Sequence, residues 1–320
     1  MSNMKQEILK LLKSDQFISG QEMADRLKVS RTAVWKNINA LKTEGYSIES
    51  VTRKGYHLRE HPRYISPTAL EVLVESSPLF SHMEYLETTE STQIEAFQKL
   101  ENKDGAYIVV ALEQTKGRGR FSRQWSSPKN RGLYLSIVLR PNIPITEIIR
   151  FNLFISLALS RTLDAAFGVQ SGIKWPNDIY INNRKVSGFL TEVVSESNVI
   201  SAIICGIGIN IFKDESVSAL GTATDIESEI EPDRAIDLDD FMRKLIHNIE
   251  VYYDRFINEP FSSIREEWKS RAIVFNKDLK ITETGESYMA KALDIDQDGF
   301  LEVLDEAGEI RRVVSADIEL

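Results

Sequence analysis

The sequence predicts an α+β multidomain protein with a winged helix-turn-helix at residues 1–65, a mixed-sheet α/β domain at 66–270 and a small β-barrel at 271–320. Three patterns predict this. Short amphipathic helices followed by a basic hairpin occupy the first 65 residues, long apolar strands alternate with helices through the middle, and short strands separated by tight turns close the chain. A chain of 320 residues is also too long for one ordinary core.

In the first segment, Ile8, Leu9, Leu11 and Leu12 fall on one helical face, and Ser19 is placed to cap a second helix through Leu27. Ser30 caps a third helix from Arg31 to Glu44. Its Val34, Ile38 and Leu41 repeat at core spacing, Thr32, Lys36, Asn39 and Thr43 lie opposite, and Gly45 stops it. Tyr46–Ser50 and Tyr56–Leu58 read as strands around Arg53-Lys54-Gly55, a basic wing. Residues 1–65 hold 12 Lys and Arg against 7 Asp and Glu, a charge of +5 in a chain whose net charge is −9. This asymmetry points to a nucleic-acid partner, with Ser30, Arg31, Thr32, Lys36, Asn39, Arg53 and Lys54 as candidate DNA contacts. His61-Pro62 to Ser66-Pro67 breaks both helix and strand, so the linker is placed there.

In the second segment a polar run, Thr88 to Gln93, precedes an amphipathic helix with Ile94, Phe97 and Leu100, and Ser91 or Thr92 can serve as its cap. Ala106–Leu112 and Leu133–Leu139 read as buried strands. Between them lies Gly117-Arg118-Gly119-Arg120-Phe121-Ser122-Arg123-Gln124-Trp125. Arginines so crowded repel one another unless an anionic ligand neutralises them, and the glycines let backbone N–H groups approach it, so a phosphate or carboxylate is the expected ligand. The loop's Gly, Ser, Pro and Asn content suits a lid that orders on that ligand.

After a long apolar helix, Ile148–Phe167, come Lys174-Trp175-Pro176-Asn177-Asp178 and, beyond a turn, Arg184-Lys185-Val186-Ser187-Gly188. Asp178 is expected at a strand edge with Lys185 across the hairpin. Gly206-Ile207-Gly208-Ile209-Asn210 ends a buried strand without the third glycine of a dinucleotide fingerprint, and mid-strand glycines fit close approach to the sheet. Phe212–Thr224 is a second loop, and Leu238–Phe256 a helix with Phe241, Leu245, Ile249 and Tyr252 on its buried stripe.

The last segment has strand patterns at 279–282, 288–293, 300–304 and 310–314, with turns at Gly285, Asp298-Gly299 and Ala307-Gly308. Asp294–Gly299 looks like the start of a calcium loop, but its flanks are strands and Asp305 replaces the twelfth-position glutamate, so a turn is predicted. The single cysteine, Cys205, excludes a disulfide framework and a thiolate metal site. No signal-like apolar region or membrane-length run is present, so the cytoplasm is the expected compartment and no membrane partner is expected.

Taken together and in order, Gly117-Arg118-Gly119-Arg120, Lys174–Asp178, Arg184–Gly188 and Gly206–Asn210 make the chain resemble the bifunctional biotin protein ligases that are also biotin operon repressors. Ser30–Lys36 and Lys54-Gly55-Tyr56 extend the resemblance to the winged helix. It implies a class II synthetase-like ligase domain followed by an SH3-like one, with biotin, ATP and Mg2+ as ligands. It also implies biotinyl-5′-adenylate as both intermediate and corepressor, and a lysine of a biotin carboxyl carrier protein as acceptor. By the same resemblance, Ser91, Thr92, Gln93, Gln114, Arg118, Gly119, Arg120, Lys185, Gly188, Gly206 and Gly208 face biotin, although the family usually has asparagine where Gln93 stands. Arg120, Arg123, Trp125, Asp178, Lys185 and Asn210 face the nucleotide. Arg118, Arg120, Lys185 and Asp178 are the catalytic candidates, with Asp178 as a magnesium ligand. Ser187 replaces a commoner alanine and is expected to be neutral. Adenylate is expected to order the 116–130 and 212–224 loops into part of a homodimer surface that sets two winged helices on operator DNA. The alternatives are a lipoate-type ligase, a ligase with a vestigial winged helix, and a metabolite-sensing repressor without catalysis.

Overall fold

The computed structural model describes residues 4–12, 16–102, 104–232, 234–283 and 286–319; the turn predicted at Gly285 lies outside them. The chain divides into two compact units, Met1–Ser76 with Asp233–Met242, and Ser77–Pro232 with Arg243–Leu320.

The first unit contains three helices, Met4–Leu12, Gly20–Leu27 and Arg31–Thr43, and a hairpin of Ser47–Val51 and Gly55–Glu60. The caps are those the sequence specifies: Ser19 accepts the Glu22 N–H and Ser30 the Ala33 N–H, both at 3.1 Å. Ile8, Leu12, Met23, Val34, Ile38 and Leu41 form the core. The wing is tied back to the helices, since Tyr56 and Ile18 exchange backbone hydrogen bonds of 2.9 and 3.0 Å. Gly55 sits at φ +110, and a Cβ there would lie 2.1 Å from the Ile18 carbonyl oxygen, so glycine is required at this crossing. Pro67–Glu75 is a fourth helix with Ser66 as its cap.

The predicted linker is anchored by a buried polar cluster. The Tyr46 hydroxyl donates to Asp239 at the start of helix Leu238–Asn258. His61 lies 3.6 Å from Asp237. Burial, helped by the charges of Asp237 and Glu44, outweighs the Tyr46 hydrogen bond and raises the Asp239 carboxyl to about 6.

The second unit is built on an eight-stranded mixed sheet. Its path runs Phe80–Leu86, Ala106–Ala111, Gly132–Leu139, Val199–Asn210, Arg184–Glu196, Asp178–Ile181 and Ser171–Lys174, with Ile143–Pro144 pairing onto Val199–Asn210. Only the first pair is parallel. The helix Ile148–Phe167, as predicted, buries most of its length, and Phe241, Leu245, Ile249 and Tyr252 are buried on theirs. The helix Thr92–Gln98 differs from expectation. Phe97 is 59% exposed, while Ala96, one residue earlier, is fully buried against Tyr107 and Val109. Starting the helix at Thr92 turns Thr92, Gln93 and Ala96 inward, so polar residues take positions the apolar pattern had assigned to larger side chains.

Five antiparallel strands from Asp278 to Glu319 form the last sheet, in the order Ile310–Val313, Leu301–Asp305, Glu286–Ile295, Asp278–Glu283 and Asp317–Glu319. The fifth, Asp317–Glu319, is too short to register as a sequence pattern. Asp294–Gly299 makes a turn in which Asp296 accepts the N–H groups of Asp298 and Phe300 and pairs with Arg312 at 2.5 Å. Among the described residues no helix is long and apolar enough to cross a membrane.

A carboxyl whose folded-state pKa is raised contributes stability that is fully present below the unfolded value near 3.8 and is lost as pH rises through about 6. Asp239→Asn, neutral throughout, is therefore expected to stabilise the chain at pH 7.5 by about 1–3 kcal/mol and to flatten its pH dependence between 4 and 7. Urea unfolding of both proteins across that range checks this, and a variant less stable at pH 7.5 would contradict it.

Candidate active site and nucleic-acid interface

The arginine loop leaves one buried strand, Ala106–Ala111, and returns to its antiparallel neighbour, Gly132–Leu139. It folds on itself as a narrow ladder. Trp125 N–H donates to Gly117 at 2.9 Å, Arg118 bridges Gln124, and Gly119 N–H donates to Arg123 at 2.8 Å. The tip turns through Phe121 and Ser122, both left-handed at φ 53 and 57, a conformation that costs energy for residues other than glycine. The ladder joins the two arms of the loop through backbone hydrogen bonds between Gly117 and Trp125 and between Gly119 and Arg123.

The loop roofs a cavity of about 940 Å³. The residues named for the two ligands, Ser91, Thr92, Gln93, Gln114, Arg118, Gly119, Arg120, Arg123, Trp125, Asp178, Lys185, Gly188, Gly206, Gly208 and Asn210, all line it. A volume of this size is at the upper end for a small-molecule site.

At one end Ser91 occupies the cap position of helix Thr92–Gln98 but makes no capping bond. The Gln114 side chain caps instead, its Oε1 accepting from the Thr92 N–H at 2.9 Å and hydroxyl at 3.1 Å, while its Nε2 donates to Ser127 at 2.9 Å. Ser136 donates to the Thr92 hydroxyl at 2.8 Å. Gln93, 3% exposed, lies against Gly206 and donates to the Leu190 carbonyl at 3.0 Å and to Glu192 at 3.1 Å. This end is a buried, hydrogen-bonded polar surface at a helix N-terminus, suited to a neutral polar head group.

At the other end the strand register creates the hollow. Asp178 pairs with Gly188, and Gly188 with Gly208, so these three share one face of adjacent strands and two of them have no side chain. A Cβ on Gly208 would stand 2.4 Å from the Trp125 indole, which rests there with its Nε1 buried and, among the described residues, without a hydrogen-bond partner. Lys185 Nζ lies 5.4 Å above the same ring and 2.6 Å from Asp178. As predicted, Asp178 opens a strand and Lys185 faces it across the hairpin. Asn210 is buried and donates to the Thr224 carbonyl at 3.0 Å. Ser187 donates to the Gly208 carbonyl at 2.8 Å.

Each loop arginine has a protein partner. Arg118 donates to Glu192 at 3.0 Å, Arg120 to Asn177 and Ser315 at 3.2 Å each, and Arg123 grips Asp317 bidentately. Burial lowers the pKa of Arg120 from its ordinary value, against the pull of Asp178 and Asp317, and burial lowers that of Lys174 likewise. Burial pushes Asp317 up, but its hydrogen bond and charge pairing with Arg123 prevail and leave it below the usual value.

Glu192, Asp317 and Ser315 were not among the sequence candidates. Glu192 follows the Lys185–Gly188 motif on the same strand, a signal that was present; Asp317 and Ser315 lie more than 190 positions from their arginines and left none. The loop at 212–224 also contributes through its backbone, since Lys185 N–H donates to Thr222 at 2.9 Å and Thr224 N–H to Lys185 at 2.8 Å. Among the described residues no group of three or more His, Cys, Asp or Glu is placed to hold a metal ion.

In the other unit, Arg31, Thr32 and Lys36 are exposed on the third helix, with Asn39 half-buried beside them, and Arg53 and Lys54 are exposed at the wing tip. The Ser30 hydroxyl is engaged in capping.

The chain matches the biotin/lipoate A/B protein ligase family over residues 85–210, a helix-turn-helix domain over 5–57 and the biotin protein ligase C-terminal domain over 275–320. It is 35% identical to the bifunctional ligase/repressor BirA of Bacillus spizizenii, across 100% of this chain and 99% of that one. The chain belongs to the bifunctional biotin protein ligases. This ligase is also 26% identical to the bifunctional ligase/repressor BirA of Escherichia coli, over 98% of its own length and 96% of the relative's. The biotin protein ligase of Aquifex aeolicus, solved with biotin and ATP, superposes with a TM-score of 0.63 at 27% identity, over 75% of this chain and 98% of that one. The ligase thus joins a biotin- and ATP-dependent catalytic unit with a mixed sheet to a DNA-binding helix-turn-helix and a C-terminal domain of antiparallel strands.

Gly208→Ala places a methyl group inside the Trp125 ring contact and must displace the indole. The expected loss is about 1–3 kcal/mol of stability, with altered tryptophan emission. Unchanged unfolding and an unchanged emission maximum would contradict the packing described.

Proposed function

We propose that the cavity activates biotin as its 5′-adenylate and then transfers it to a lysine of a carboxyl carrier domain. The observation that carries this reading is the cavity's two-ended chemistry. A buried neutral hydrogen-bonding surface at Thr92 and Gln114 suits the ureido head, and six cationic side chains against three anionic ones line the rest.

In the first step a biotin carboxylate oxygen attacks the α-phosphorus of ATP and pyrophosphate leaves. Two anions must approach, so catalysis requires fixed positive charge and alignment, which Arg118, Arg120 and Lys185 supply, with Arg123 toward the triphosphate. Trp125 offers a ring face for adenine, and Asn210 a polar group beside the phosphates. In the second step the carrier's amine attacks the acyl carbon and AMP leaves. The amine must be neutral, and Asp178, with a buried oxygen 2.6 Å from Lys185, is the carboxylate placed to take its proton. Magnesium that arrives on the triphosphate needs only one or two protein carboxylates, so Asp178 would ligate it there and the ion would neutralise phosphate charge.

The adenylate is also the corepressor in this reading. Its binding strengthens a homodimer through the arginine and 212–224 loops, where Phe121 is 55% exposed at the tip, and the dimer sets two winged helices on operator DNA.

Labelled biotin should transfer to a carrier domain only when ATP is present, and labelled lipoate should not; transfer of lipoate alone, or none, would overturn the assignment. Arg120→Gly should release the adenylate at least about tenfold faster, seen in a chase with unlabelled ligand, and an ordinary off-rate would remove Arg120 from the site. Biotin with ATP should raise the dimer fraction in sedimentation at fixed protein concentration, and an unchanged monomer fraction would exclude the dimer switch.

A further inference from the structure

We propose that Trp35 is a base-reading residue, its indole covering a thymine methyl group in the major groove; this rests on the helix-turn-helix binding operator DNA. Trp35 is 54% exposed on the helix Arg31–Thr43, whose buried face is Val34, Ile38 and Leu41. Among the described residues the indole has no ring contact and no hydrogen bond. A single exposed apolar residue is ordinary on a protein surface. This one has an unusual setting. It is the fifth residue of the helix, flanked by exposed Arg31, Thr32 and Lys36, on a unit whose wing presents Arg53 and Lys54. None of these four cations has a salt bridge among the described residues, so the face is complementary to a polyanion rather than to an apolar protein surface.

The occupant follows from that charge, and the chemistry of the contact from the groove. In a helix-turn-helix the N-terminal residues of the second helix reach base edges in the major groove while surrounding cations hold phosphates. Every base edge there presents hydrogen-bonding groups, and the one apolar feature is the thymine C5 methyl. An indole cannot accept a hydrogen bond and donates only through its Nε1, so its large apolar surface matches that methyl group. Arg31, Lys36, Arg53 and Lys54 then set affinity, and Trp35 contributes sequence preference.

The test uses the full chain loaded with biotin and ATP. Duplexes are selected from a random-sequence pool, and each thymine of the selected site is replaced singly by deoxyuridine, which removes only the methyl. One thymine per half-site is expected to cost the wild type about five- to tenfold in affinity when replaced. Trp35→Ala should bind the unmodified site about five- to tenfold more weakly and be indifferent to that replacement, while Trp35→Phe keeps the sensitivity. Biotin transfer to a carrier domain should be unchanged in both variants, which excludes misfolding. Identical deoxyuridine profiles for wild type and Trp35→Ala, or a wild type sensitive at no thymine, would overturn the inference while leaving DNA binding intact. Failure of the wild type to select any duplex would overturn both.

Discussion

Six cationic side chains converge on one cavity, and the catalytic unit is organised by the need to hold them there. Arg118, Arg120 and Arg123 occupy a loop of nine residues, Lys174 and Lys185 flank Asp178, and Lys277 is the sixth. Such a set repels itself unless each charge is compensated. Glu192, Asp178 and Asp317 pair with Arg118, Lys185 and Arg123, and come from two strands of the main sheet and the last strand of the C-terminal sheet. The compensation is partial and partly exposed, so ion pairs here contribute little to stability individually. Their effect is positional: the cations are in place for a ligand phosphate or carboxylate that can satisfy them better.

The rigidity behind that arrangement comes from the sheet. The strand Val199–Asn210 is central, paired along its length with Gly132–Leu139 on one side and Arg184–Glu196 on the other. Side chains alternate along a strand, so Gly206 and Gly208 fall on the same face, and their missing side chains leave two recesses. Gln93 lies in the first and Trp125 in the second. The Gln93 and Trp125 ends of the cavity therefore rest on recesses two residues apart on one strand. Trp125 is both the end of the arginine loop and the filler of a sheet recess, which couples the loop to the floor of the site.

Much of this was legible in the sequence because it rests on local patterns. Caps at Ser19 and Ser30, the buried helices Ile148–Phe167 and Leu238–Asn258, and the hairpin that sets Lys185 across from Asp178 follow from periodicity and turn chemistry. The residues that the resemblance nominates for biotin and nucleotide also line one cavity. What the sequence concealed depends on tertiary pairing. Phe97 looked like a core residue until the start of its helix turned Ala96 inward instead. Asp317 and Ser315 meet the arginine loop from the far end of the chain, whereas Glu192 follows the Lys185–Gly188 motif on one strand and was passed over. The hydrogen bonds that join Gly117 to Trp125 and Gly119 to Arg123 likewise leave no periodic pattern in the sequence.

The central claim is that the cationic ladder between two buried strands holds the activated carboxyl group of biotin. Hydrogen exchange of the amides of Gly119, Arg123 and Trp125, measured with biotin and ATP present together, tests it most directly. Those amides should exchange markedly more slowly than in the ligand-free chain. Unchanged exchange in a protein that is transferring biotin would contradict the account.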